Sequence, residues 1–299
     1  LAKLYTEQTG VSVKVVTAAS GTYADTLTAE MAKSEAPTIY NIGNLSGLKD
    51  WNDYALDLTD SAIAQELTTN DFNLYNEAGE LKAIGYCYES FGIIVNTELL
   101  EKAGHSLEEI KDFASLKAVA EDIHARSAEL GFDAFSASGL DSSSSWRFSG
   151  HLANMPLYYE FRDNDITEQP ATIEGKYLDN FRAVWDLYIT NTATDAKTLS
   201  TSTADESKAQ FTEGKAVFYQ NGTWEYAGLV EAGLAPENLA MIPIYCGVDG
   251  EENAGLCSGT ENCWAINSQV SAEDQKASMD FLVWLVTDET AAQKMVDTL

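Results

Sequence analysis

An α/β protein of two lobes is the fold class this sequence predicts, on three observations. At 299 residues the chain exceeds what one hydrophobic core usually holds. Helical and strand periodicities alternate along it. Neither charge nor composition jumps anywhere, which suits lobes built from interleaved segments rather than domains strung in series.

Leu1, Leu4 and Tyr5 recur at helical spacing and Gly10 closes that helix; Val11, Val13 and Val15 then alternate as a half-buried strand. A helix over residues 22–34 follows. A strand over 36–44, entered at Pro37, runs into a polar loop. Short amphipathic segments joined by Asn and Asp turns fill residues 51–75. The stretch 81–96 (LKAIGYCYESFGIIVN) is apolar and β-rich, with Glu89 the one charge near its middle. Residues 101–130 supply two helices, the second capped by the Ser115 hydroxyl, and 132–138 a strand.

A serine-rich loop over 139–145 delivers Trp146 and Arg147, and residues 148–219 read as mostly helical. Gly214 stops a helix begun near Thr203, because a residue without Cβ takes the left-handed cap at no steric cost. Ala216 to Tyr219 form a buried strand, Asn221 and Gly222 a tight turn. Trp224, with Glu225 beside it, emerges at the strand's carboxyl end, where open α/β sheets bind small ligands. Residues 241–245 (MIPIY) form a short strand, and Ser271 with Asp274 three positions on caps a helix through Val286.

The formal net charge of -29, from 47 acids against 18 bases, excludes phosphate-backbone binding, which needs Lys and Arg to neutralise phosphates. It also favours a neutral or cationic ligand over an anionic one. No stretch approaches the roughly 20 apolar residues of a membrane span. Cys87, Cys246, Cys257 and Cys263 form no CxxC pair of the zinc or redox kind. Two readings of them stay open: a Cys246–Cys257 disulfide across a Gly-rich turn, or four small buried apolar residues. Asp163 with Asp165, and the 249–252 turn, hold oxygens of the type calcium takes, but neither spacing completes a known loop. His105, His124 and His151 lack the HExxH spacing, and GxSxG and Walker A runs are missing, so each His reads as a surface or cap residue. Neither a cofactor nor a metal is expected.

Aromatic faces beside carboxylates, amides and a guanidinium suit a sugar, whose C–H faces stack and whose hydroxyls bond. Trp224 with Glu225 is the leading candidate. Glu89 follows, since a lone carboxylate in an apolar strand is costly unless it faces a wet cleft or a partner. Trp146 and Arg147 offer stacking and a multi-donor fork. Tyr159, with Glu160, and Glu261 in GTEN complete the set read from the residues themselves.

The run FTEGKAVFYQNGTWE (211–225), with LYTEQTGVSV (4–13), GIIVNTELLEKAG (92–104) and WAINSQVSAEDQKASMDFLVWLVTD (264–288), resembles the sugar-capturing extracellular solute-binding proteins of ABC transporters, the maltose-binding-protein-like family 1. The resemblance implies a two-lobed periplasmic-binding-protein-like (type II) α/β fold with a hinge and an inter-lobe cleft. Lobe one would be residues 1–86 plus 246–299, lobe two 91–241, with crossovers at 87–90 and 242–245. It implies that Tyr40, Asn41 and Asn44 of the first-lobe loop, Tyr88 and Glu89 of the crossover, and Gly222 and Trp224 face ligand. The implied function is capture of a neutral oligosaccharide by a monomer and delivery to the membrane subunits of an ABC importer. The implied place is outside the cell, as a surface lipoprotein or a periplasmic protein. The family's first strand before Leu1 and its helices after Leu299 lie outside this sequence, so a longer biological chain is expected. A glycosidase or lyase, and a surface adhesin, are the alternatives; the first needs two acids at a set separation.

Overall fold

The computed structural model describes residues 1–19, 22–137, 139–168 and 170–298. Its strands are β1 (Ile39–Ile42), β2 (Leu74–Tyr75), β3 (Leu81–Gly85), β4 (Glu89–Asn96), β5 (Asp133–Phe135), β6 (Ala216–Gly222), β7 (Leu239–Ile242), β8 (Cys257–Gly259) and β9 (Cys263–Ile266). The chain separates into two compact units, one of Leu1–Glu89 with Gly259–Leu299, the other of Ser90–Ser258.

The first unit holds a sheet in the order β1-β9-β3-β2, all neighbours antiparallel. Tyr40, Ile42, Leu48, Ala83, Cys263 and Ala265 pack one core cluster, and Leu58, Ile84, Ile266, Leu282 and Leu285 another. Gly10 closes the helix Ala2–Thr9 in the left-handed conformation, φ 76°. Residues 11–16 form no strand: Val11, Val15 and Val16 are exposed, and no described segment pairs with them. Alternation sets the sidedness of side chains, but a strand needs a neighbour to take its backbone groups. Ser271 Oγ accepts from the Asp274 N–H at 3.1 Å and starts the helix Ala272–Thr287.

In the second unit β6 and β4 are central, in the order β5-β6-β4-β7, with β8 also on β4. β5 runs parallel to β6; β4 is antiparallel to β6 and β7. Every residue of β6 is buried, and its largest cluster joins Ile93, Val95, Phe135, Phe148, Val217 and Phe218. Asn221 and Gly222 are not a turn: they pair with Gly92 and Phe91, and this cross-strand ladder holds the dipeptide extended. The helix Phe113–Ala125 starts at Asp112, with Ser115 completing a capping box from inside the helix rather than from its end. Helices Ala153–Asp163, Leu178–Thr190 and Ala204–Thr212 leave irregular chain between them. The expected 132–138 strand is Asp133–Phe135, and Ser138 lies outside the described residues.

Residues 246–258 belong to the second unit, so the return falls after Ser258 and not at 242–245. The cause is local: Glu251, buried at 4 % exposure, accepts from Cys246 N–H (2.7 Å), Gly247 N–H (2.8 Å) and Phe113 N–H (2.7 Å). The 249–252 turn therefore spends its buried carboxylate on backbone amides rather than on a cation. All four cysteines are free, Cys257 Sγ donating to Met155 Sδ at 3.1 Å. Among the described residues no group of three or more His, Cys, Asp or Glu could hold a metal ion, and no helix is long and apolar enough to cross a membrane.

Candidate functional site

In the second unit three segments bring rings together. The π-helical segment Arg147–Leu152, just after Trp146, supplies His151; β4 supplies Phe91; the 3-10 turn Thr223–Glu225 after β6 supplies Trp224. Phe91 stacks on His151 at 3.9 Å and 4°, and Trp146 meets the imidazole edge-on at 4.8 Å. The Trp224 ring lies 5.7 Å from His151 and 6.2 Å from Trp146. Trp146 is 40 % exposed and Trp224 half-buried, so the cluster has a buried imidazole floor and two indoles reaching solvent.

His151 is neither a surface nor a cap residue. Gln220 Nε2 donates to its Nδ1 at 2.8 Å, which leaves the imidazole proton on Nε2. Burial, and then the nearby Arg147 charge, push its pKa down to about 4. The ring is therefore neutral at physiological pH, an apolar face with one N–H donor. For a base whose folded pKa is depressed, the unfolded chain takes up the proton first, so stability is full above about 6.5 and falls as pH drops toward 4. At about pH 5 the wild type should have lost roughly 2 kcal/mol more than His151→Gln, relative to pH 7, in urea denaturation. Parallel pH profiles for the two proteins would contradict this.

Gly222 sets the indole. A Cβ there would lie 2.1 Å and 2.2 Å from Cζ3 and Cη2 of Trp224, while its φ of -125° suits any residue. Gly222→Ala should thus displace the ring without straining the strand. About a tenfold loss of ligand affinity, with Tm nearly unchanged in thermal unfolding, is the expected pair of results.

Arg147, read from sequence as a ligand fork, is 3 % exposed. Its guanidinium carbon sits 4.3 Å from the Trp146 ring centroid and Nη1 donates to Ser144 Oγ at 3.1 Å, so it backs the indole from inside the unit. Tyr159 is a second correction: at 2 % exposure it packs in the core, because Tyr158 takes the outward position. Glu160 is 1 % exposed and accepts the N–H groups of Glu174 and Lys176. Glu225 Oε1 accepts from Asn221 Nδ2 (3.0 Å), and its Oε2 meets Lys208 Nζ (2.9 Å).

In the first unit the register Asn41↔Trp264 and Gly85↔Cys263 gathers the ends of β1 and β3 with the start of β9. Tyr86 stacks on Trp264 at 3.9 Å and 11°. Glu89 Oε2 accepts from Asn262 Nδ2 at 3.1 Å; burial and then Glu261 hold its pKa above the ordinary carboxylate value. Asn41 Nδ2 donates to the Glu261 carbonyl at 3.3 Å, and the Tyr23 hydroxyl both donates to the Asn41 carbonyl and accepts its N–H. Tyr88 is 62 % exposed, edge-on to Phe72. Two candidates fall away from this group. Tyr40 is 4 % exposed in the core, and Asn44 caps the helix Leu45–Trp51, accepting from the Gly47 N–H at 2.9 Å.

Sequence reading missed Phe91, His151 and Gln220 in the second unit and Tyr23, Tyr86, Trp264 and Asn262 in the first. Trp264 opens one of the four motif segments, which was the available signal; the others depend on pairings far apart in the chain.

Over residues 1–299 the sequence matches the family described as bacterial extracellular solute-binding protein. No curated protein matches it. Among solved structures, a solute-binding protein in complex with raffinose matches at TM-score 0.75 and 16% identity, covering 99% of this chain and 75% of that one. A family 1 extracellular solute-binding protein from Bifidobacterium longum subsp. infantis matches at 0.65 and 17%, covering 99% and 75%. The GacH receptor of Streptomyces glaucescens, solved unliganded and with acarbose, matches at 0.71 and 19%, covering 100% and 74%. At these identities the likeness is one of fold.

Proposed function

Because the chain belongs to the bacterial extracellular solute-binding protein family, we propose that it captures a neutral carbohydrate, an oligosaccharide, and hands it to the membrane subunits of an ABC importer. The observation that carries the reading is the second-unit cluster of Trp146, Trp224, His151 and Phe91. Two indoles reaching solvent over a neutral imidazole suit the C–H faces of a sugar. Solved structures of this fold in complex with raffinose, acarbose and mannobiose support the ligand class. The net charge of -29 supports a ligand without negative charge.

The first-unit group of Asn41, Tyr88, Glu89 and Glu261 adds acceptors and donors for hydroxyls. The units close by a hinge at the two crossings of the chain, near Glu89–Ser90 and Ser258–Gly259. Ligand binds one unit first; contacts made only in the closed form supply the differential affinity that shifts the population. The protein works as a monomer outside the cell, as a surface lipoprotein or in a periplasm. Its task is capture without turnover.

Tryptophan-fluorescence titration against a panel of neutral oligosaccharides, followed by chromatography of the incubated sugars, tests the reading. Saturable binding of at least one sugar, recovered intact, is expected. Release of shorter products would replace capture by glycoside cleavage, and a flat response to the whole panel would remove the carbohydrate.

A further inference from the structure

The turn that carries Trp224 is tied to a helix outside it. At the end of β6 that leads into it, Asn221 Nδ2 donates to the Tyr219 hydroxyl at 2.6 Å and, across the turn, to Glu225 Oε1 at 3.0 Å, while Asn221 Oδ1 accepts the Gly222 N–H at 3.0 Å. From outside, Lys208 Nζ meets Glu225 Oε2 at 2.9 Å. The side chains of Lys208 and Glu225 are 35% and 13% exposed, so the pair is partly withdrawn from water and holds more firmly than an open surface pair.

Lys208 stands on the helix Ala204–Thr212, and the same helix holds the other indole. Its first residue donates, through the Ala204 N–H, to Ser143 Oγ at 3.2 Å; the Gly139 N–H donates to Ser207 Oγ at 3.2 Å; and the Ser143 carbonyl accepts from Trp146 Nε1 at 3.2 Å. One helix therefore fixes the serine loop under Trp146 and, a turn further on, the carboxylate next to Trp224. The Lys208 ammonium also lies against Gly228, where a Cβ would come within 2.6 Å of Nζ.

We propose that Lys208 is a positioning residue for the indole pair: through Glu225 it fixes the turn that presents Trp224, and it meets no ligand itself. The proposal rests on the reading of the second-unit rings as the ligand platform, and it assigns Glu225 to holding the turn rather than to a sugar hydroxyl.

The test is a double-mutant cycle of Lys208→Met, Glu225→Gln and both together. Calorimetry with raffinose, mannobiose and a chitin oligosaccharide reads affinity, and acrylamide quenching of tryptophan fluorescence reads the ligand-free protein. Each single variant should lose about 5- to 20-fold in affinity, and the double variant no more than the weaker-binding single. Quenching should rise in all three without sugar present. Gly228→Ala, which crowds the ammonium without touching its charge, should move both readouts the same way, and Lys208→Arg should stay within about threefold of wild type. Multiplying losses in the double variant would mean that Glu225 meets ligand on its own, and unchanged affinity in Lys208→Met would remove the positioning role. If the wild type binds none of the three sugars, the platform reading is what has failed; the quenching arm still decides the proposal, raised quenching upholding it and unchanged quenching overturning it.

Discussion

Glu251→Ala is expected to lower the stability of the second unit by about 3–5 kcal/mol, a large effect for one side chain. The carboxylate is buried and takes three backbone N–H groups, from Phe113 at the start of a helix and from Cys246 and Gly247 in the loop it anchors. Bonds to a charged acceptor are roughly twice as strong as neutral ones, and removing it strands three donors at once. Asn180 Nδ2, which donates to the carbonyls of Cys246 and Gly247 at 2.8 and 2.9 Å, holds the opposite side of the same loop but cannot accept those N–H groups. Scanning calorimetry should show the second unit's transition falling by roughly 10 °C in Glu251→Ala. Glu251→Gln, which keeps an acceptor oxygen without the charge, should lose about half as much. A shift under about 2 °C for alanine would mean that the loop holds itself.

The second large effect is on binding. Trp224→Ala should weaken oligosaccharide affinity by about 2–4 kcal/mol, roughly 30- to 1,000-fold, because a half-buried indole at the open side of a ring cluster gives both contact area and a face for C–H groups. Stability should change little, since the ring packs against Gly222 and other site rings rather than in the main core. Trp224→Phe, which keeps an aromatic face, should recover most of the loss. Calorimetric titration reads all three proteins, and equal affinity in wild type and Trp224→Ala would take the indole out of the site.

What was legible in the sequence is what local chemistry decides. Gly10, Gly214 and Ser271 mark helix ends because caps depend on the residue and its near neighbours. The apolar run in β6 and the indole following it were legible for the same reason. Pairing over long separations was not. Residues 11–16 alternate well, yet no described segment pairs with them, and the Asn221–Gly222 dipeptide has turn chemistry yet stays extended under β4. Tyr158 and Tyr159 are both plausible on periodicity, and only the packing direction of their helix sends the second inward. His151 was opaque because its burial depends on Phe91 and Gln220, which β4 and β6 bring to it. The unit boundary differs from the expected one because Glu251 ties its loop to the Phe113 N–H, a pairing across the chain that local sequence does not show.

In the proposed function a neutral oligosaccharide docks on the Trp146–Trp224 face of the second unit. Fluorine NMR of protein labelled with 5-fluorotryptophan tests it most directly, with resonances assigned by single Trp→Phe variants and a bound neutral oligosaccharide titrated in. The Trp146 and Trp224 signals should both shift and saturate together at one equivalent of sugar. Trp185, packed against the Phe148 ring of the second-unit core, and Trp284, bonded through Nε1 to Gln8, should stay in place. Saturable binding that leaves the Trp146 and Trp224 signals unmoved would contradict the account.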